Sequence, residues 1–363
     1  MKFILTGGGT AGHVLPAVAI AQALLKKYPK AEVLFIGREG GEENNEILRA
    51  GFELKEIKVY GIERSFTFKN IRNVLTALLR IGTAKKLIKQ FKPDAVIGTG
   101  GYVCWPVLKA AQGFGIATFI HESNVYPGLV TRLLSQRCSA VLLNHKETEK
   151  YLKNTENTFC VGNPIRREFL NITREAARRK LSLGKRELLI ISFGGSGGAQ
   201  NMNDCITEMM SKYELGQSGI RHIHATGRKY YSKYKDIRFT SGNYRILPYI
   251  DDMPTYLKAA DAVICRAGAM TLSEIAAVGC PAILVPSPNV TNNHQYKNAQ
   301  FLAQEGAAVM LEESSLTAET LYRTLKEITD SESKRKLMSK CIEKFANRNS
   351  ADDIVNLISK TIK

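Results

Sequence analysis

The hydrophobic and polar positions of this chain follow two patterns that alternate from end to end. Short apolar, β-branched runs predict strands, and longer segments with apolar residues three or four positions apart predict helices. This alternation predicts an α/β protein with mainly parallel sheets. Strands are expected near residues 3–6, 32–37, 53–58, 94–98, 117–121, 140–144 and 158–162, and then near 187–193, 221–226, 244–248, 262–266, 281–286 and 307–312.

The same pattern divides the chain into domains. Asn163-Pro164-Ile165 is followed by a polar, basic segment, 166–186, so we place the boundary there and predict domains at 1–163 and 164–345. Residues 346–363 are predicted to be helical and to cross back to the first domain. With 363 residues, 44% of them hydrophobic, the chain is long enough for two hydrophobic cores.

Two glycine-rich loops, each between a predicted strand and a predicted helix, lie about half a chain apart. The first runs from Gly7 to His13 and the second from Gly194 to Ala199. Glycines allow a sharp turn, and the N-terminus of the following helix attracts an anion such as a diphosphate. The duplication predicts two nucleotide-type domains that face one cleft.

Two common nucleotide sites are poorly supported. Neither loop contains the Gly-Lys-Ser/Thr of a Walker A motif, which argues against ATP or GTP hydrolysis. A dinucleotide site calls for an acidic residue after the second strand, and here that strand ends in Gly37-Arg38. Open α/β sheets bind ligands at the carboxyl ends of their strands, and polar or glycine-rich residues follow most of the strands predicted here.

The chain is strongly basic, with a formal net charge of +17. Basic residues are dense from Lys55 to Lys92, and apolar residues recur at helical spacing from 71 to 91. Such a helix can lie on an anionic membrane, or it can face the protein core with a solvated basic side. No nucleic-acid-binding motif accompanies the charge, so no nucleic-acid partner is expected. The candidate membrane residues are Ile71, Leu75, Leu78, Leu79, Arg80, Lys85 and Lys86.

Other features limit the location and the chemistry. No signal sequence opens the chain and no apolar run reaches the length of a membrane span, so we expect a cytosolic or peripheral protein. Seven cysteines without a C-x-x-C pair, among them Cys160, Cys265 and Cys280, are expected to be reduced and mostly buried. His222 and His224 share one face of a predicted strand but lack a third ligand, so no metal site is predicted.

The strand-end residues resemble, in order, those of the bacterial MurG family. The match extends from residue 7 to about residue 300 and comprises Gly8-Gly9-Thr10-Ala11-Gly12-His13, Gly98-Thr99-Gly100-Gly101-Tyr102, His121-Glu122-Ser123-Asn124, Val161-Gly162-Asn163-Pro164-Ile165-Arg166, Phe193-Gly194-Gly195-Ser196, Cys265-Arg266-Ala267-Gly268-Ala269 with Ser273-Glu274, and Asn293-His294-Gln295. The resemblance implies a GT-B fold, in which two Rossmann-like, doubly wound parallel-sheet domains face a central cleft.

The resemblance also implies an activity. Family members are inverting glycosyltransferases that move N-acetylglucosamine (GlcNAc) from UDP-GlcNAc to the 4-hydroxyl of N-acetylmuramic acid (MurNAc) in undecaprenyl-diphospho-MurNAc-pentapeptide (lipid I). The product, lipid II, serves peptidoglycan synthesis and therefore cell wall biogenesis, cell shape and cell division. The implied location is the cytoplasmic face of the bacterial membrane, as a peripheral protein on an anionic surface with proteins of a cell-wall synthesis complex as partners. No cofactor is expected to be required, although a divalent cation could stimulate the reaction.

Three positions depart from the commonest family pattern. Ala11 replaces a glycine, and Ser123 and Gly197 each replace a glutamine. A β-carbon disfavours positive φ, so the backbone at Ala11 is expected to be either ordinary or slightly strained. Ser123 and Gly197 lose amide groups, which weakens the transfer of family contacts to those two positions.

Donor binding is implied mainly for the second domain. Glu274 is expected at the ribose hydroxyls, Gln295 at the sugar hydroxyls and Ile250 at uracil through its backbone. Ser196 and Arg166 are expected at the diphosphate, and Asn124 at the acetamido sugar or the reacting region. Three of these residues also have a structural alternative: Glu274 as a carboxylate in the first turn of a helix, Gln295 as a polar residue at a helix N-terminus and Asn124 as a cap at a strand end. The full donor set is Asn124, Arg166, Ser196, Ile250, Ala269, Met270, Thr271, Leu272, Ser273, Glu274 and Gln295.

Acceptor binding and proton transfer are implied for the first domain. The amides of Thr10, Ala11 and Gly12 are expected to hold the acceptor diphosphate, and Gly100, Gly101 and Tyr102 to line the acceptor site. His13 is the leading candidate for the base, since imidazole titrates near neutral pH and this one opens the first predicted helix. Glu122 is the rival base, and His13 has a structural alternative as a cap or phosphate ligand.

Two other hypotheses about the function stay open. One is a different GT-B lipid glycosyltransferase, such as a diacylglycerol glucosyltransferase, with a UDP-sugar epimerase of the same fold less favoured. The other is a non-catalytic nucleotide-sugar-binding protein.

Overall fold

The computed structural model describes residues 1–61, 68–195, 197–213, 219–239, 242–290 and 293–362. The chain forms two units. The first comprises Met1–Arg166 and Asn347–Lys363, and the second comprises Arg167–Ala346.

The first unit is built on a seven-stranded parallel sheet in the order β3-β2-β1-β4-β5-β6-β7. Its strands are β1 (Lys2–Thr6), β2 (Glu32–Arg38), β3 (Glu53–Ile57), β4 (Ala95–Gly98), β5 (Ala117–Glu122), β6 (Ala140–Leu143) and β7 (Thr158–Cys160). Its α-helices are α1 (Ala11–Lys27), α2 (Asn44–Arg49), α3 (Phe68–Phe91), α4 (Cys104–Gly113), α5 (Leu129–Leu134) and, from the end of the chain, α15 (Ser350–Thr361).

Both faces of this sheet are covered. Successive side chains of a strand point to opposite faces, so Phe3 and Leu5 of β1 join one hydrophobic cluster and Ile4 joins another. The first cluster includes buried residues of α1 and α15, and the second includes buried residues of α3 and α4. This burial on both faces explains why inner strands such as β4 and β6 are almost continuously apolar.

The last helix, α15, packs on α1 in the first unit. Ile354, Val355 and Ile358 are buried in the core cluster that α1 shares. Polar contacts reinforce the packing: Tyr28 Oη donates to Ser359 Oγ at 2.7 Å, and Ser350 Oγ donates to the carbonyl of Gly162 at 2.9 Å.

The second unit repeats the arrangement with six parallel strands in the order β10-β9-β8-β11-β12-β13. The strands are β8 (Leu188–Phe193), β9 (Ile220–Ala225), β10 (Tyr244–Leu247), β11 (Ala262–Cys265), β12 (Ala282–Leu284) and β13 (Ala308–Met310). The helices are α6 (Glu168–Asn171), α7 (Arg174–Lys180), α8 (Gln200–Lys212), α9 (Tyr231–Tyr234), α10 (Met253–Ala259), α11 (Ala269–Val278), α12 (His294–Gln304), α13 (Ala318–Thr329) and α14 (Glu332–Glu343).

The predicted fold class is confirmed: all thirteen predicted strands are present, in two Rossmann-like parallel sheets. Within the described part of the chain, no helix is long and apolar enough to cross a membrane. The seven cysteines are unpaired, and five are buried. The cysteines are thus mostly buried, as predicted, whereas Cys160 is exposed because β7 is the edge strand of its sheet.

Candidate functional site

Each sheet has a point where the strand order reverses, between β1 and β4 in the first and between β8 and β11 in the second. The loops that leave two such strands turn in opposite directions and open a crevice, which is where doubly wound sheets bind ligands. The glycine-rich loops follow β1 and β8, at these two points.

In the first unit, the loops after β1 and β4 pack directly on each other. The amide of Gly8 donates to the carbonyl of Gly100 at 3.2 Å. A β-carbon on Gly101 would lie 1.9 Å from the Gly8 oxygen, and Gly101 has φ of +84°. Only glycine fits this approach, which brings the predicted acceptor residues Gly100 and Gly101 against the first glycine-rich loop.

His13 lies in the first turn of α1, and its ring is held by the loop that precedes it. Nδ1 is 3.0 Å from the carbonyl oxygen of Gly8. A carbonyl only accepts, so Nδ1 carries the proton in the neutral ring and Nε2 keeps its lone pair. The ring lies against Gly100, and Thr99 Oγ1 donates to the His13 carbonyl at 2.6 Å. His13 therefore presents Nε2 as a proton acceptor.

The residues between the first loop and His13 form the start of α1. Thr10 is the extended N-cap, and Ala11 and Gly12 are the first helical residues. The backbone at Ala11 is ordinary, because it is helical and its φ is not positive. Tyr102, by contrast, lies partly exposed beside Gly61.

The loop has a further partner that the sequence analysis did not single out. The amide of Gly9 donates to Oε1 of Glu43 at 2.5 Å. Glu43 is only 8% exposed and follows β2, so it comes from a third loop at the same end of the sheet.

Glu122, at the end of β5, is 6% exposed and surrounded by donors. Oε1 accepts from the amide and the side chain of Asn124, both at 3.1 Å. Oε2 accepts from the amide of Gly128 at 2.9 Å and from Thr131 Oγ1 at 2.8 Å. Four hydrogen bonds to one carboxylate organise the loop that carries Asn124.

His121 is buried on the same strand. Its Nε2–H donates to the carbonyl of Gly162 at 3.0 Å, and burial lowers its pKa. This ring is therefore neutral and joins β5 to the segment after β7.

In the second unit, the loops after β8 and β9 pack on each other in the same way. A β-carbon on Gly198 would lie 2.2 Å from the carbonyl oxygen of Thr226, and Gly198 has φ of +71°. Ser196 lies outside the described residues, and Gly197 is exposed. The second glycine-rich loop, which is the predicted phosphate loop, therefore packs through Gly198 against the loop after β9.

The loop after β11 leads into α11, where six predicted donor residues lie. Gly268 is the N-cap, Ala269, Met270, Thr271 and Leu272 form the first turn, and Ser273 and Glu274 follow. The N-terminus of a helix suits an anion. Of the four residues, Leu272 already donates its amide to the carbonyl of Gly268 at 3.0 Å. Glu274 is buried.

Arg266, just before this helix, links four loops of the second unit. Nη1 donates to the carbonyls of Val285 and Pro286, both at 3.2 Å, and the guanidinium forms an ion pair with Glu313. Glu313 Oε1 also accepts from Asn201, in the first turn of α8, at 2.9 Å. The loops after β8, β11, β12 and β13 are therefore tied together.

The remaining predicted donor residues are placed as follows. Gln295 lies in the first turn of α12, and its Oε1 accepts from the amide of Ser287 at 2.9 Å. Ile250 is buried in the segment after β10, and Asn124 lies in the loop after β5. Arg166 is the last residue of the first unit before Arg167 begins the second.

His222 and His224 belong to a fully buried hydrogen-bond chain. Both rings lie 2.8 Å from Ser192 Oγ, and His224 Nε2 lies 3.1 Å from Asn203 Oδ1. Asn203 donates to the carbonyl of Thr226 at 2.9 Å, so the chain reaches the turn that contacts Gly198. Burial lowers the pKa of His222 to about 3 and that of His224 to about 4, and both rings are neutral.

The predicted membrane helix is α3. Ala84 and Ile88 are buried against the core, whereas Leu78, Lys85 and Lys86 are exposed and Leu79 is 77% exposed. Arg80 is half-buried, and the side chains of Ile71 and Leu75 lie outside the described residues. One face thus packs on the sheet while the other presents leucines and lysines.

Sequence reasoning missed Glu43, Arg266 and Asn203 as residues that shape the site. Arg266 lay within a quoted motif, but its partners lie far away in sequence, so spacing could not reveal its role. Glu43 follows the end of β2, and this position is the one sequence feature that indicates a place near the site.

The comparisons agree with this architecture. Residues 3–143 match the glycosyltransferase family 28 N-terminal domain, and residues 189–357 match the glycosyltransferase family 28 C-terminal domain. The solved structure of Acinetobacter baumannii MurG superposes with a TM-score of 0.73 at 28% identity, over 99% of both chains. UDP-GlcNAc 2-epimerase from Neisseria meningitidis bound to UDP-GlcNAc, at 12% identity and a TM-score of 0.70 over 99% of this chain and all of that one, shares the fold alone.

Curated relatives are similar over the whole chain. The UDP-N-acetylglucosamine–N-acetylmuramyl-(pentapeptide) pyrophosphoryl-undecaprenol N-acetylglucosamine transferase of Acetivibrio thermocellus is 41% identical, over 100% of this chain and 99% of the relative. The protein of the same name from Thermoanaerobacter sp. is 40% identical over 99% of both chains.

Proposed function

The chain belongs to the MurG family of family 28 glycosyltransferases, and we propose that it transfers GlcNAc from UDP-GlcNAc to the 4-hydroxyl of MurNAc in lipid I, giving lipid II. It is a hexosyltransferase, since the relatives that match it over their full length are named N-acetylglucosamine transferases. The observation that carries the proposed chemistry is the orientation of His13, which keeps Nε2 free to accept a proton beside a loop suited to a diphosphate.

The reaction is a direct displacement at the anomeric carbon of GlcNAc. His13 Nε2 takes the proton of the acceptor 4-hydroxyl while the oxygen of that hydroxyl forms the new bond to the anomeric carbon. The bond to the β-phosphate oxygen breaks, its electron pair leaves with UDP, and the anomeric configuration inverts. The Nδ1–H bond to Gly8 holds the ring during the transfer and remains when the imidazolium forms.

The rival base, Glu122, has a different role in this proposal. Its two oxygens already accept four hydrogen bonds within one loop, and taking a substrate proton would break some of them. Glu122 instead orients Asn124, which then contacts the donor sugar or the reacting centre. The geometry therefore favours His13.

The donor is bound by the second unit. The N-terminal amides of α11, at Ala269, Met270 and Thr271, bind phosphate or sugar oxygens, and the carboxylate of Glu274 accepts from the two ribose hydroxyls. The amide of Leu272 is not part of this group, because it donates to the carbonyl of Gly268 at 3.0 Å. Gln295 uses its Oε1 on the Ser287 amide, which leaves its NH₂ group for the sugar hydroxyls. The resemblance assigns four further residues to the donor site: Arg166, Ser196, Ile250 and Ser273.

The acceptor is bound by the first unit. The first amides of α1, at Thr10, Ala11 and Gly12, receive its diphosphate, and Gly100, Gly101 and Tyr102 line the approach to His13. The exposed side of α3 supports attachment to an anionic membrane, with leucines at the acyl boundary and lysines at the head groups. We further propose, as the resemblance implies, that the enzyme lies on the cytoplasmic face, that cell-wall synthesis proteins are its partners and that a divalent cation stimulates the reaction.

The activity is tested by UDP release from UDP-GlcNAc in the presence of a short-chain lipid I analogue, with mass analysis of the lipid product. We expect release that depends on the lipid I analogue and a product heavier by one GlcNAc. The same assay with diacylglycerol tests the alternative lipid transferase. Turnover only with diacylglycerol, or UDP-GlcNAc binding without turnover, would reject the proposal.

A further inference from the structure

One peptide group of the first glycine-rich loop is held at both of its ends. The carbonyl of Gly8 accepts the Nδ1–H of His13 at 3.0 Å. The N–H of Gly9 belongs to the same peptide group and donates to Oε1 of Glu43 at 2.5 Å. A carboxylate, a peptide group and an imidazole therefore form one continuous hydrogen-bond chain.

The local structure brings the carboxylate of Glu43 to this position. A β-carbon on Gly41 would lie 2.6 Å from Oε1, so a glycine is needed for the side chain to fold back over the loop. Arg38 Nε also approaches Oε1, at 3.4 Å. Burial opposes the charge, but the hydrogen bonds from Gly9 and Arg38 outweigh it and hold the pKa of Glu43 below its usual value. The side chain is an anion at neutral pH.

A peptide group can transmit the effect of such an anion. Its C–N bond has partial double-bond character, so a negative charge at the N–H shifts electron density toward the carbonyl oxygen. Hydrogen bonds in a chain polarise one another in this way and become stronger. The Gly8 oxygen thus becomes a better acceptor for Nδ1–H, and that bond stabilises the imidazolium formed when Nε2 takes a proton.

We propose that Glu43 is the positioning residue of His13 and acts on it through the Gly8–Gly9 peptide group. A catalytic base is commonly oriented by a third group, which fixes its tautomer and stabilises its charged form. Here that carboxylate acts across one intervening peptide rather than by direct contact. This inference rests on the proposed role of His13 as the base.

The variant Glu43→Gln tests the proposal because glutamine keeps an oxygen that accepts from Gly9 but removes the charge. We expect kcat to fall about tenfold, which corresponds to the loss of one charge-assisted interaction, with both KM values unchanged. The control is Glu42→Gln, which removes the same charge from the exposed neighbouring residue and should change kcat less than twofold. Equal effects of the two variants would overturn the proposal, as would a change in acceptor KM alone.

A second comparison asks whether Glu43 acts through His13. In a His13→Ala background, Glu43→Gln should change the residual rate less than twofold. The effects of two substitutions are not additive when one residue acts through the other. An equal loss in both backgrounds would show an independent role and overturn the inference. If His13→Ala reduces turnover while Glu43→Gln does not, only this inference fails. If His13→Ala leaves turnover intact, the proposed base itself is wrong.

Discussion

Arg266 forms an ion pair with Glu313 in which both side chains are largely buried. Removing one partner of such a pair leaves an uncompensated charge, which costs about 3–5 kcal/mol. Arg266→Met should therefore lower the free energy of unfolding by about 3 kcal/mol and raise the donor KM, since the pair joins four loops of the second unit. Urea unfolding and donor titration measure both effects.

The matched control for this prediction is Lys336→Met. Lys336 pairs with Glu332 on the surface of the same unit, and exposed pairs contribute at most about 1 kcal/mol. A similar stability for Arg266→Met and Lys336→Met would contradict the role assigned to the buried pair.

The buried histidines predict a stability that falls in acid. His222 and His224 have folded pKa values of about 3 and about 4, below the unfolded value near 6.5, so the unfolded chain binds more protons. Each contribution is complete above about pH 6.5 and declines as the pH falls toward the folded pKa, by about 1.4 kcal/mol per pH unit. Hydrogen exchange of β8 and β9 amides at pH 7 and pH 5 measures this.

A variant isolates the histidine contribution. His222→Gln should have lower stability at pH 7 but a shallower loss of β8 and β9 protection between pH 7 and pH 5. If the variant and the wild type lose protection in parallel, another group sets the acid sensitivity.

Glu274→Ala should raise the donor KM by about tenfold or more and weaken the preference among nucleotides, because a buried carboxylate bonded to two hydroxyls contributes several charge-assisted hydrogen bonds. Initial rates with UDP-GlcNAc and other nucleotide sugars check this. Glu305→Ala, at the exposed end of α12, is the control and should leave the donor KM unchanged. An unaltered donor KM in Glu274→Ala would remove the ribose assignment.

The exposed leucines of α3 should matter for lipid binding rather than for chemistry. We expect the double variant Leu78→Ser/Leu79→Ser to sediment less with vesicles of anionic lipid, because the substitutions reduce the apolar surface that contacts the membrane. Turnover of a soluble acceptor analogue should stay within about twofold of the wild type. Leu337→Ser is the control, since Leu337 is similarly exposed, at 62%, but belongs to the second unit. Equal vesicle binding by the two variants and the wild type would exclude α3 as the membrane contact.

Much of the fold follows from local sequence. Apolar runs such as Leu188–Phe193 are buried on both faces, so their composition alone marks them as strands. The two glycine-rich loops and the position of His13 at the start of α1 are also predictable, because they depend on residues close together in the chain. Arg266 and Glu313 could not be paired in advance, since only the folded sheet brings their loops together.

The orientation of His13 shows the same limit. Its position at the start of a helix was predictable, but its tautomer depends on the Gly8 carbonyl, and the peptide group it contacts depends on Glu43, thirty-four positions beyond Gly9. For Cys160, the sequence could not reveal that its strand lies at the sheet edge.

The most direct test of the account is the rate of acceptor-dependent UDP release by His13→Asn. Asparagine keeps a donor for the Gly8 carbonyl but offers no base, so the account predicts a loss of kcat by a factor on the order of 100 to 10,000 with the donor KM unchanged. Undiminished turnover in His13→Asn, together with its loss in Glu122→Gln, would contradict the assignment of His13 and make Glu122 the base.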